Sequence, residues 1–120
     1  MSKDKRFVLY VDDETVNLQL FRLTFQNEFE IVTTDTPAEA IRLLGEKEYE
    51  VIVSDMKMPK MTGIEFLTKA KDLQPDSHRI LVTGLLEDES IESAIEGGVV
   101  NSIVHKPWIK SEFMEILIKD

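Results

Sequence analysis

The sequence predicts an α/β fold in which a doubly wound parallel sheet carries helices on both faces. Three observations predict it. Short apolar runs alternate with amphipathic helical patterns, the central runs are continuous in apolar residues, and capping or turn signals separate the segments. Strands that are covered on both faces have such continuous runs. Alternation of strand and helix favours parallel strands joined by right-handed crossovers.

Five segments are predicted to be strands. They are FVLYV (7–11), EIVTT (30–34), VIVS (51–54), ILVT (80–83) and SIVH (102–105), and EIVTT is the weakest of them. β-Branched and aliphatic residues dominate the central runs, which fits strands of a buried sheet. A helical pattern follows every strand, so the predicted order is strand–helix repeated five times.

The first helix is predicted from three core-facing positions, Leu20, Phe21 and Thr24. Leu18 lies off this stripe and close to the acidic residues that precede the helix. It is therefore a candidate for contact with a docking partner, although a single exposed leucine is ordinary on a protein surface.

The later helices have clear start and stop signals. Capping boxes of the form S/T-x-x-E begin at Thr36 and Thr62, and Pro37 takes the favoured first helical position. Gly97 and Gly98 end the fourth helix. The apolar positions that mark helices two to five are Ala40, Ile41, Leu44, Ile64, Leu67, Ala70, Ile91, Ala94, Ile95, Ile109, Phe113, Ile116 and Leu117.

Length and composition limit the classes of protein. A chain of 120 residues is the size of one domain. No apolar run approaches the roughly 20 residues of a membrane span, and the apolar run at 7–11 is too short for a signal peptide. The net charge of −9 argues against nucleic-acid binding through a basic surface. Zero cysteines exclude disulfides and thiolate metal sites, which suits a cytoplasmic protein.

Polar residues follow four of the predicted strands at the point where each strand ends. They are Asp12, Asp13 and Glu14 after the first, Asp55 after the third, Thr83 after the fourth, and Lys106 and Pro107 after the fifth. The carboxyl ends of parallel strands lie at one edge, where doubly wound sheets bind ligands. If the first and third strands are neighbours, about 4.8 Å apart, the three aspartates converge on one pocket.

Such an acidic cluster favours a bound cation. Two carboxylates about 5 Å apart repel by roughly 3 kcal/mol at an effective dielectric near 20. Oxygen ligands suit Mg²⁺, which keeps several waters and is often shared with a phosphate. A single lysine and a single hydroxyl on neighbouring strands supply the remaining groups for holding a phosphoryl group. Taken alone, Asp12 and Asp13 could instead cap the first helix, Lys106 could be a surface lysine, and Thr83 a strand-end residue.

Four motifs together resemble the receiver domain of two-component response regulators, of the chemotaxis response regulator type. They are VDDE (11–14), SDMKMPKMTG (54–63), VTG (82–84) and HKP (105–107), and they occur in order across essentially the whole chain. The resemblance implies a flavodoxin-like (βα)5 fold with strand order 2-1-3-4-5. It also implies one receiver domain over residues 1–120, with no output domain in this chain.

The resemblance implies a metal site and a phosphoacceptor. Asp55 would accept a phosphoryl group from a phosphohistidine and form an acyl phosphate. Asp13 and Asp55 would bind Mg²⁺, or Mn²⁺, directly, and Asp12 would assist through water. The backbone carbonyl of Lys57 would complete the protein ligands.

The remaining motif residues are implied to serve the phosphoryl group or the loops. Thr83 would give a hydrogen bond to a phosphoryl oxygen, and Lys106 a positive charge to another. Pro59 and Gly63 would shape the loop after the third strand, so that its backbone carbonyl reaches the metal. Pro107 would shape the loop after Lys106.

Two positions depart from the family pattern. Ile103 stands three residues before the pocket lysine, where the family usually has Phe or Tyr. Because isoleucine is stiff at its first torsion, we expect Ile103 to pack inward and the signal to leave mainly through Thr83 and its loop. Leu85 stands two residues beyond Thr83, where polar residues are common.

Three further side chains are assigned structural roles. We expect His78 to be a solvated loop residue and His105 to pack beside the last strand, with no catalytic role for either. Trp108 is expected to be a partly buried anchor at the start of the last helix, with contact to a partner as the alternative, since tryptophan is enriched at interface hot spots.

The partners follow from the resemblance. A sensor histidine kinase or a histidine phosphotransfer protein would supply the phosphoryl group. The surface of the fourth helix, fifth strand and fifth helix would control a separate effector, an output domain outside this chain or a homodimer. No membrane or nucleic acid is expected to bind this domain, and no enzymatic turnover beyond autodephosphorylation.

Two other functions compete with this one. The first is a receiver-like interaction module that works without phosphorylation. Ile103 favours this alternative, and the intact Asp55, Thr83 and Lys106 argue against it. The second is a phosphatase of the haloacid dehalogenase type, whose D-x-D-x-T motif does not fit Asp12 to Thr15.

Overall fold

The computed structural model describes residues 5–85 and 88–119. Five strands and five helices alternate along the chain, which confirms the predicted order. The elements are β1 Arg6–Val11, α1 Thr15–Phe25, β2 Phe29–Thr34, α2 Pro37–Leu44, β3 Val51–Asp55, α3 Gly63–Leu73, β4 His78–Thr83, α4 Glu89–Glu96, β5 Ser102–His105 and α5 Lys110–Leu117.

The strands form one parallel sheet in the order β2-β1-β3-β4-β5. The chain reverses its winding direction between β1 and β3, which places a crevice at the carboxyl ends of these two strands. Val11 pairs with Ser54. The residues that follow, Asp12 and Asp55, therefore leave the sheet side by side.

Helices cover both faces of the sheet, as the continuous apolar strands predict. The α1/α5 core contains the inward side chains of these two helices, Leu18, Phe21, Phe25, Phe113 and Leu117, packed on one face. The α2/α3/α4 core contains Ala40, Leu44, Phe66, Leu67, Ala70, Ile91 and Ala94 on the other. The half-buried Trp108 packs against Phe25 and Phe113, with ring centroids 5.8 and 5.2 Å apart. Its predicted role as an anchor is confirmed.

The predicted capping signals act at the helix starts. At Thr36 only half of the predicted capping box forms: the hydroxyl accepts a hydrogen bond from the backbone N–H of Glu39 at 3.2 Å, but the Glu39 carboxylate pairs with Arg42 instead. Pro37 opens α2, as predicted. Thr62 forms a full capping box: its hydroxyl accepts from Glu65 N at 3.1 Å, and the Glu65 carboxylate accepts from Thr62 N at 2.8 Å.

The predicted orientation of α1 is wrong. Leu18 is 8% exposed and belongs to the core, whereas Leu20 is 51% exposed. The buried positions 18, 21 and 25 follow the i, i+3, i+7 spacing of one helix face. Because Leu18 is covered by the sheet, it cannot be the docking residue that the sequence suggested.

Four other positions differ from the sequence-based expectations. His78 is the first residue of β4, half-buried, with its Nε2 atom 2.8 Å from Ser102 Oγ. It is therefore a strand residue and not a solvated loop residue, because β4 begins two residues earlier than predicted. His105 ends β5 with its side chain exposed instead of packed. Ile95 and Ile109 are exposed, since α4 turns Ile91 and Ala94 inward and α5 begins only at Lys110.

Two cations bind the carbonyl oxygens that follow α4. Lys71 Nζ donates to Gly97 O at 2.9 Å. Arg79 donates to Gly98 O at 3.0 Å and to Val99 O at 2.9 Å. Arg79 is 3% exposed, and further carbonyl oxygens of the α3–β4 loop satisfy its guanidinium. This Arg79–Lys71 clamp fixes the carboxyl end of α4 at the edge of the sheet opposite the aspartates.

Candidate functional site

Three aspartates meet at the carboxyl edge of the sheet, as the sequence predicts. Asp12 and Asp13 follow β1, and Asp55 ends β3. One carboxylate oxygen from each lies within 4.8 Å of the others. Asp12 and Asp55 are 0% and 4% exposed, whereas Asp13 is exposed to solvent. The cluster is thus built on two buried carboxylates with a third at its mouth.

The carboxylate of Asp12 accepts three hydrogen bonds. The Tyr10 hydroxyl and the Asn17 side-chain amide donate to Oδ2 at 2.9 and 3.1 Å, and the backbone N–H of Glu14 donates to Oδ1 at 2.9 Å. Glu14 itself is the N-cap of α1 and makes no side-chain capping bond. Asp12 therefore steadies the turn before α1 and at the same time faces the acidic cluster.

Tyr10 and Asn17 contact the candidate site and were not predicted from the sequence. Tyr10 stands two residues before Asp12, and side chains two apart on a strand share a face. That spacing is the signal that could have identified it. Burial raises the pKa of Tyr10, and the charge of Asp12 and its hydrogen bond raise it further. The phenol therefore keeps its proton and acts as a donor.

Asp55 is held between a cation and a backbone donor. Its Oδ1 atom contacts Lys106 Nζ in an ion pair, and its Oδ2 atom accepts from Lys57 N at 3.1 Å. Burial raises the pKa of the Asp55 carboxyl, contact with Lys106 opposes the rise, and the charge of Asp12 adds to it. The net shift is upward, so the single ammonium does not fully offset the burial and repulsion of this carboxylate.

Lys106 and Thr83 approach the aspartates from β5 and β4. The backbone N–H of Lys106 donates to Thr83 O at 2.9 Å, which extends the sheet beyond β5. Burial lowers the pKa of Lys106, but the hydrogen bond and charge of Asp55 outweigh it and leave the pKa raised. The peptide bond between Lys106 and Pro107 is cis. Lys106 thus enters the site as a positive charge.

The Thr83 hydroxyl is buried and oriented by the backbone. Its Oγ1 atom accepts a hydrogen bond from Leu85 N at 3.0 Å, and the residue is 2% exposed. A hydroxyl that accepts from the backbone still has its proton to donate. That proton can therefore serve a ligand oxygen.

A cavity of about 310 Å³ opens beside Asp55. Its lining consists of Asp55, Met56, Lys57, Thr83, Gly84, Leu85 and Lys106. A carboxylate, a hydroxyl and an ammonium thus face one space that is large enough for a tetrahedral anion.

The loop after β3 depends on Gly63. A Cβ atom at this position would collide with the backbone oxygen of Asp55 and come within 2.8 Å of Leu81 Cδ1. Gly63 N also donates to Met56 O at 2.8 Å. The start of α3 therefore closes the loop directly behind Asp55. Pro59 is exposed within this loop, and its influence on loop geometry stays a prediction.

Ile103 pairs with Leu81 across β4 and β5. Its side chain is half-buried and packs against the α2/α3/α4 core. The expected inward packing is confirmed for this conformation of the chain.

The donor set fits a small divalent cation. It consists of carboxylate oxygens on Asp12, Asp13 and Asp55, and the first and last of these residues are buried. Among the described residues, the cluster includes no histidine or cysteine. Few oxygen ligands with room for water suit Mg²⁺. The raised pKa of Asp55 indicates that positive charge would be favourable here.

A larger cavity, about 440 Å³, lies at the opposite edge between the α2–β3 and α3–β4 loops. The Gln74 amide crosses this region: it donates to Leu44 O and Lys47 O at 2.9 and 2.7 Å and accepts from Tyr49 N at 2.9 Å. Gln74 thus joins two loops at this edge, whereas the aspartates, Thr83 and Lys106 meet at the carboxyl edge. None of the helices within the described ranges has the length and hydropathy needed to cross a membrane.

Comparison with known proteins agrees with this geometry. A family model described as the response regulator receiver domain matches residues 8–118. The hydrogenase transcriptional regulatory protein HoxA of Cupriavidus necator is 32% identical over 115 residues, which are 96% of this chain and 24% of that protein. The chemotaxis protein CheY of Halobacterium salinarum is 28% identical, with 92% of each chain covered. The chain thus spans about a quarter of HoxA and nearly all of this CheY.

Solved structures share the fold. The CheY-like response regulator receiver domain protein of Methanospirillum hungatei has a TM-score of 0.88 at 25% identity, with 95% of this chain and 91% of that chain covered. A structure described as adenylate cyclase from Rhodopirellula baltica has a TM-score of 0.87 at 28% identity, with 92% and 83% covered.

Proposed function

This chain belongs to the response regulator receiver domain family, and we propose on that basis that Asp55 is the residue that accepts the phosphoryl group. The family is a signalling domain of two-component systems. One observation carries the assignment to Asp55. Asp55 is a buried carboxylate at the end of β3 that contacts Lys106, has an oxygen within 4.8 Å of oxygens of two other aspartates, and borders the 310 Å³ cavity.

In the proposed reaction, a carboxylate oxygen of Asp55 attacks the phosphorus of a phosphohistidine. The new P–O bond forms as the P–N bond breaks, and the imidazole leaves with the electron pair and takes up a proton. Attack leaves negative charge on the phosphoryl oxygens. Lys106 Nζ and the Thr83 hydroxyl, both lining the cavity, are the groups of this chain that can stabilise that charge.

Mg²⁺, or Mn²⁺, is the cofactor that the acidic cluster fits best. Asp13 and Asp55 would bind it directly, Asp12 through water, and the backbone carbonyl of Lys57 would complete the protein ligands. The cation would neutralise charge shared between the carboxylates and the phosphoryl oxygens. The orientation of the carboxylates would determine where the cation binds. Three hydrogen bonds orient Asp12, and Lys57 N orients Asp55.

The decisive experiment is labelling of Asp55→Asn. We expect wild-type protein with acetyl phosphate and Mg²⁺ to gain the mass of one phosphoryl group by intact-mass spectrometry, and Asp55→Asn to gain none. Lys106→Ala should be labelled more slowly, because the developing charge loses its ammonium. Asp76→Asn, at an exposed position of the α3–β4 loop, is the matched control and should label like wild type.

The result also separates the two classes of function. Undiminished single labelling of Asp55→Asn would overturn the assignment of the acceptor. Wild-type protein that takes no label from acetyl phosphate or a histidine kinase, yet binds a partner, would favour an interaction module that works without phosphorylation.

The partners belong to the same proposal. A sensor histidine kinase or a histidine phosphotransfer protein supplies the phosphoryl group in the cytoplasm. Two relatives, HoxA and the transcriptional regulatory protein GlrR of Escherichia coli, are matched over 24% and 26% of their lengths. This supports an output domain joined to a receiver in a longer protein, with the α4-β5-α5 surface controlling that domain, a separate effector or a homodimer.

A further inference from the structure

Asp12 differs from the other two aspartates in how many of its acceptor positions the protein occupies. A carboxylate offers about four lone-pair positions. Tyr10 and Asn17 occupy two on Oδ2, and Glu14 N occupies one on Oδ1. Asp12 therefore has about one position left for a ligand.

Asp13 and Asp55 are less constrained. Within residues 5–85 and 88–119, no hydrogen bond or ion pair involves the Asp13 side chain, which is exposed. Asp55 accepts one backbone N–H, and its other oxygen faces Lys106. A cation in the cluster can therefore take direct ligands from Asp13 and Asp55 more readily than from Asp12.

Tyr10 can orient Asp12 because Tyr10 itself is held by packing and by strand pairing. It is 1% exposed, its ring lies 4.7 Å from that of Phe21, and its backbone pairs with Thr33 and Val53 on either side of β1. The hydroxyl is therefore presented by the sheet and the α1/α5 core together. A donor on such a rigid support sets the direction of the carboxylate that it binds.

We propose that Tyr10 is a positioning residue that makes the site select Mg²⁺ over Ca²⁺, by holding Asp12 in an orientation that offers a single acceptor position. The inference rests on the proposed function, since it takes Mg²⁺ as the ion of the site. Mg²⁺ keeps several waters and needs few carboxylates, whereas Ca²⁺ takes six to eight oxygens, often from bidentate carboxylates. A fixed Asp12 can accept from one metal-bound water, but it cannot become a bidentate ligand.

Asn17 supports the same orientation from α1. Its amide donates to Asp12 Oδ2 at 3.1 Å and to Glu14 Oε1 at 3.3 Å, and the residue is half-buried. Removal of this amide leaves Tyr10 in place. It should therefore shift the selectivity in the same direction as removal of the Tyr10 hydroxyl, by a smaller factor.

The test is Tyr10→Phe, which removes one hydroxyl and keeps the ring. Affinities for Mg²⁺ and for Ca²⁺ are measured separately on the full chain by calorimetry or NMR titration with the chloride salts. Residues that orient a metal ligand contribute about tenfold or more to affinity. We expect Mg²⁺ affinity to fall about tenfold and Ca²⁺ affinity to fall by no more than about twofold or to rise, so that the preference for Mg²⁺ drops by about fivefold or more.

Tyr49→Phe is the matched control. Tyr49 is the second of the two tyrosines, 3% exposed and located just before β3 at the opposite edge. Its hydroxyl is remote from Asp12, so the preference for Mg²⁺ should stay within about twofold of wild type, a difference of less than about 0.5 kcal/mol.

Three outcomes would overturn the inference. The first is an unchanged preference in both Tyr10→Phe and Asn17→Ala, and the second is an equal loss of both affinities in Tyr10→Phe, which would indicate a merely structural role. If Tyr10→Phe does not fold, Asn17→Ala decides, and an unchanged preference in that variant is the third.

Phosphoryl labelling of wild-type Asp55 in the presence of Mg²⁺ is a separate measurement. Labelled wild type with an unchanged preference in both variants refutes this inference alone, whereas wild type that neither binds Mg²⁺ nor takes the label refutes both proposals.

Discussion

The negative charge of Asp13 lowers the stability of the folded protein when no metal is bound. Its carboxylate lies within 4.8 Å of those of Asp12 and Asp55, and only Lys106 brings positive charge to the cluster among the contacts described above. Like charges at this separation destabilise the folded chain when no cation is bound. Because Asp13 is exposed, solvent screens part of that repulsion.

We therefore expect Asp13→Ala to abolish Mg²⁺ binding and yet to stabilise the metal-free protein by about 1 kcal/mol. Urea denaturation in EDTA measures the free energy of unfolding. Added Mg²⁺ should stabilise wild type but not Asp13→Ala. Asp76→Ala, an exposed aspartate outside the cluster, controls for loss of a surface charge. A metal-free Asp13→Ala that is less stable than wild type would mean that Asp13 has a structural role instead.

At the scale of secondary-structure elements, α3 begins with the most complete capping arrangement in the described chain. Both bonds of the Thr62–Glu65 box are present, so Thr62→Ala should destabilise the protein by about 1 kcal/mol. Thr68→Ala is the matched control on the same helix. Thr68 is exposed and its hydroxyl bonds back to Ile64 O, an interaction that adds little to helix stability. Equal losses from the two substitutions, measured by urea denaturation, would contradict the capping argument.

The elements also show what a sequence can and cannot predict. Continuous apolar strands and capping signals were enough for the strand–helix order, and strand ends were enough for the convergence of Asp12 and Asp55. The orientation of α1 was mispredicted because the stripe of Leu20, Phe21 and Thr24 was preferred to positions 18, 21 and 25, which are all apolar. Exposed apolar residues such as Leu20 and Leu23 obscure the periodicity of this helix. The start of β4 was hidden by Arg79, a charge that is buried because loop carbonyl oxygens surround it.

At the scale of the whole molecule, the question is how a phosphoryl group on Asp55 changes a distant surface. Ile103 already packs against the α2/α3/α4 core, and as a β-branched residue it is stiff at its first torsion. The Thr83 hydroxyl and the backbone of Leu85 are joined by a hydrogen bond. A phosphoryl oxygen that attracts the hydroxyl would therefore pull on the segment that leads into α4.

Addition of beryllofluoride and Mg²⁺, which mimics the acyl phosphate, should therefore produce an uneven response in NMR spectra. We expect large shift changes for Thr83 to Leu85 and small ones for the Ile103 methyl groups, because Ile103 already packs against the core. The size of the whole response is set by the differential affinity of the ligand for the two states. Asp55→Asn should show neither change. A rotamer change at Ile103 as large as the loop movement would show that isoleucine acts as the switch.

The Arg79–Lys71 clamp determines what such a pull can do to α4. The helix has eight residues and is about 12 Å long at 1.5 Å per residue. The carbonyl oxygens beyond its far end are held by two cations, while its first residues are held by the Asp88 cap and by packing of Ile91 in the α2/α3/α4 core. We therefore expect the clamp to act as a pivot, so that any displacement of α4 is largest at its first turn, beside the aspartates, and smallest near Gly97. A binding partner that contacts the first turn of α4 would then respond to phosphorylation more strongly than one that contacts the last turn.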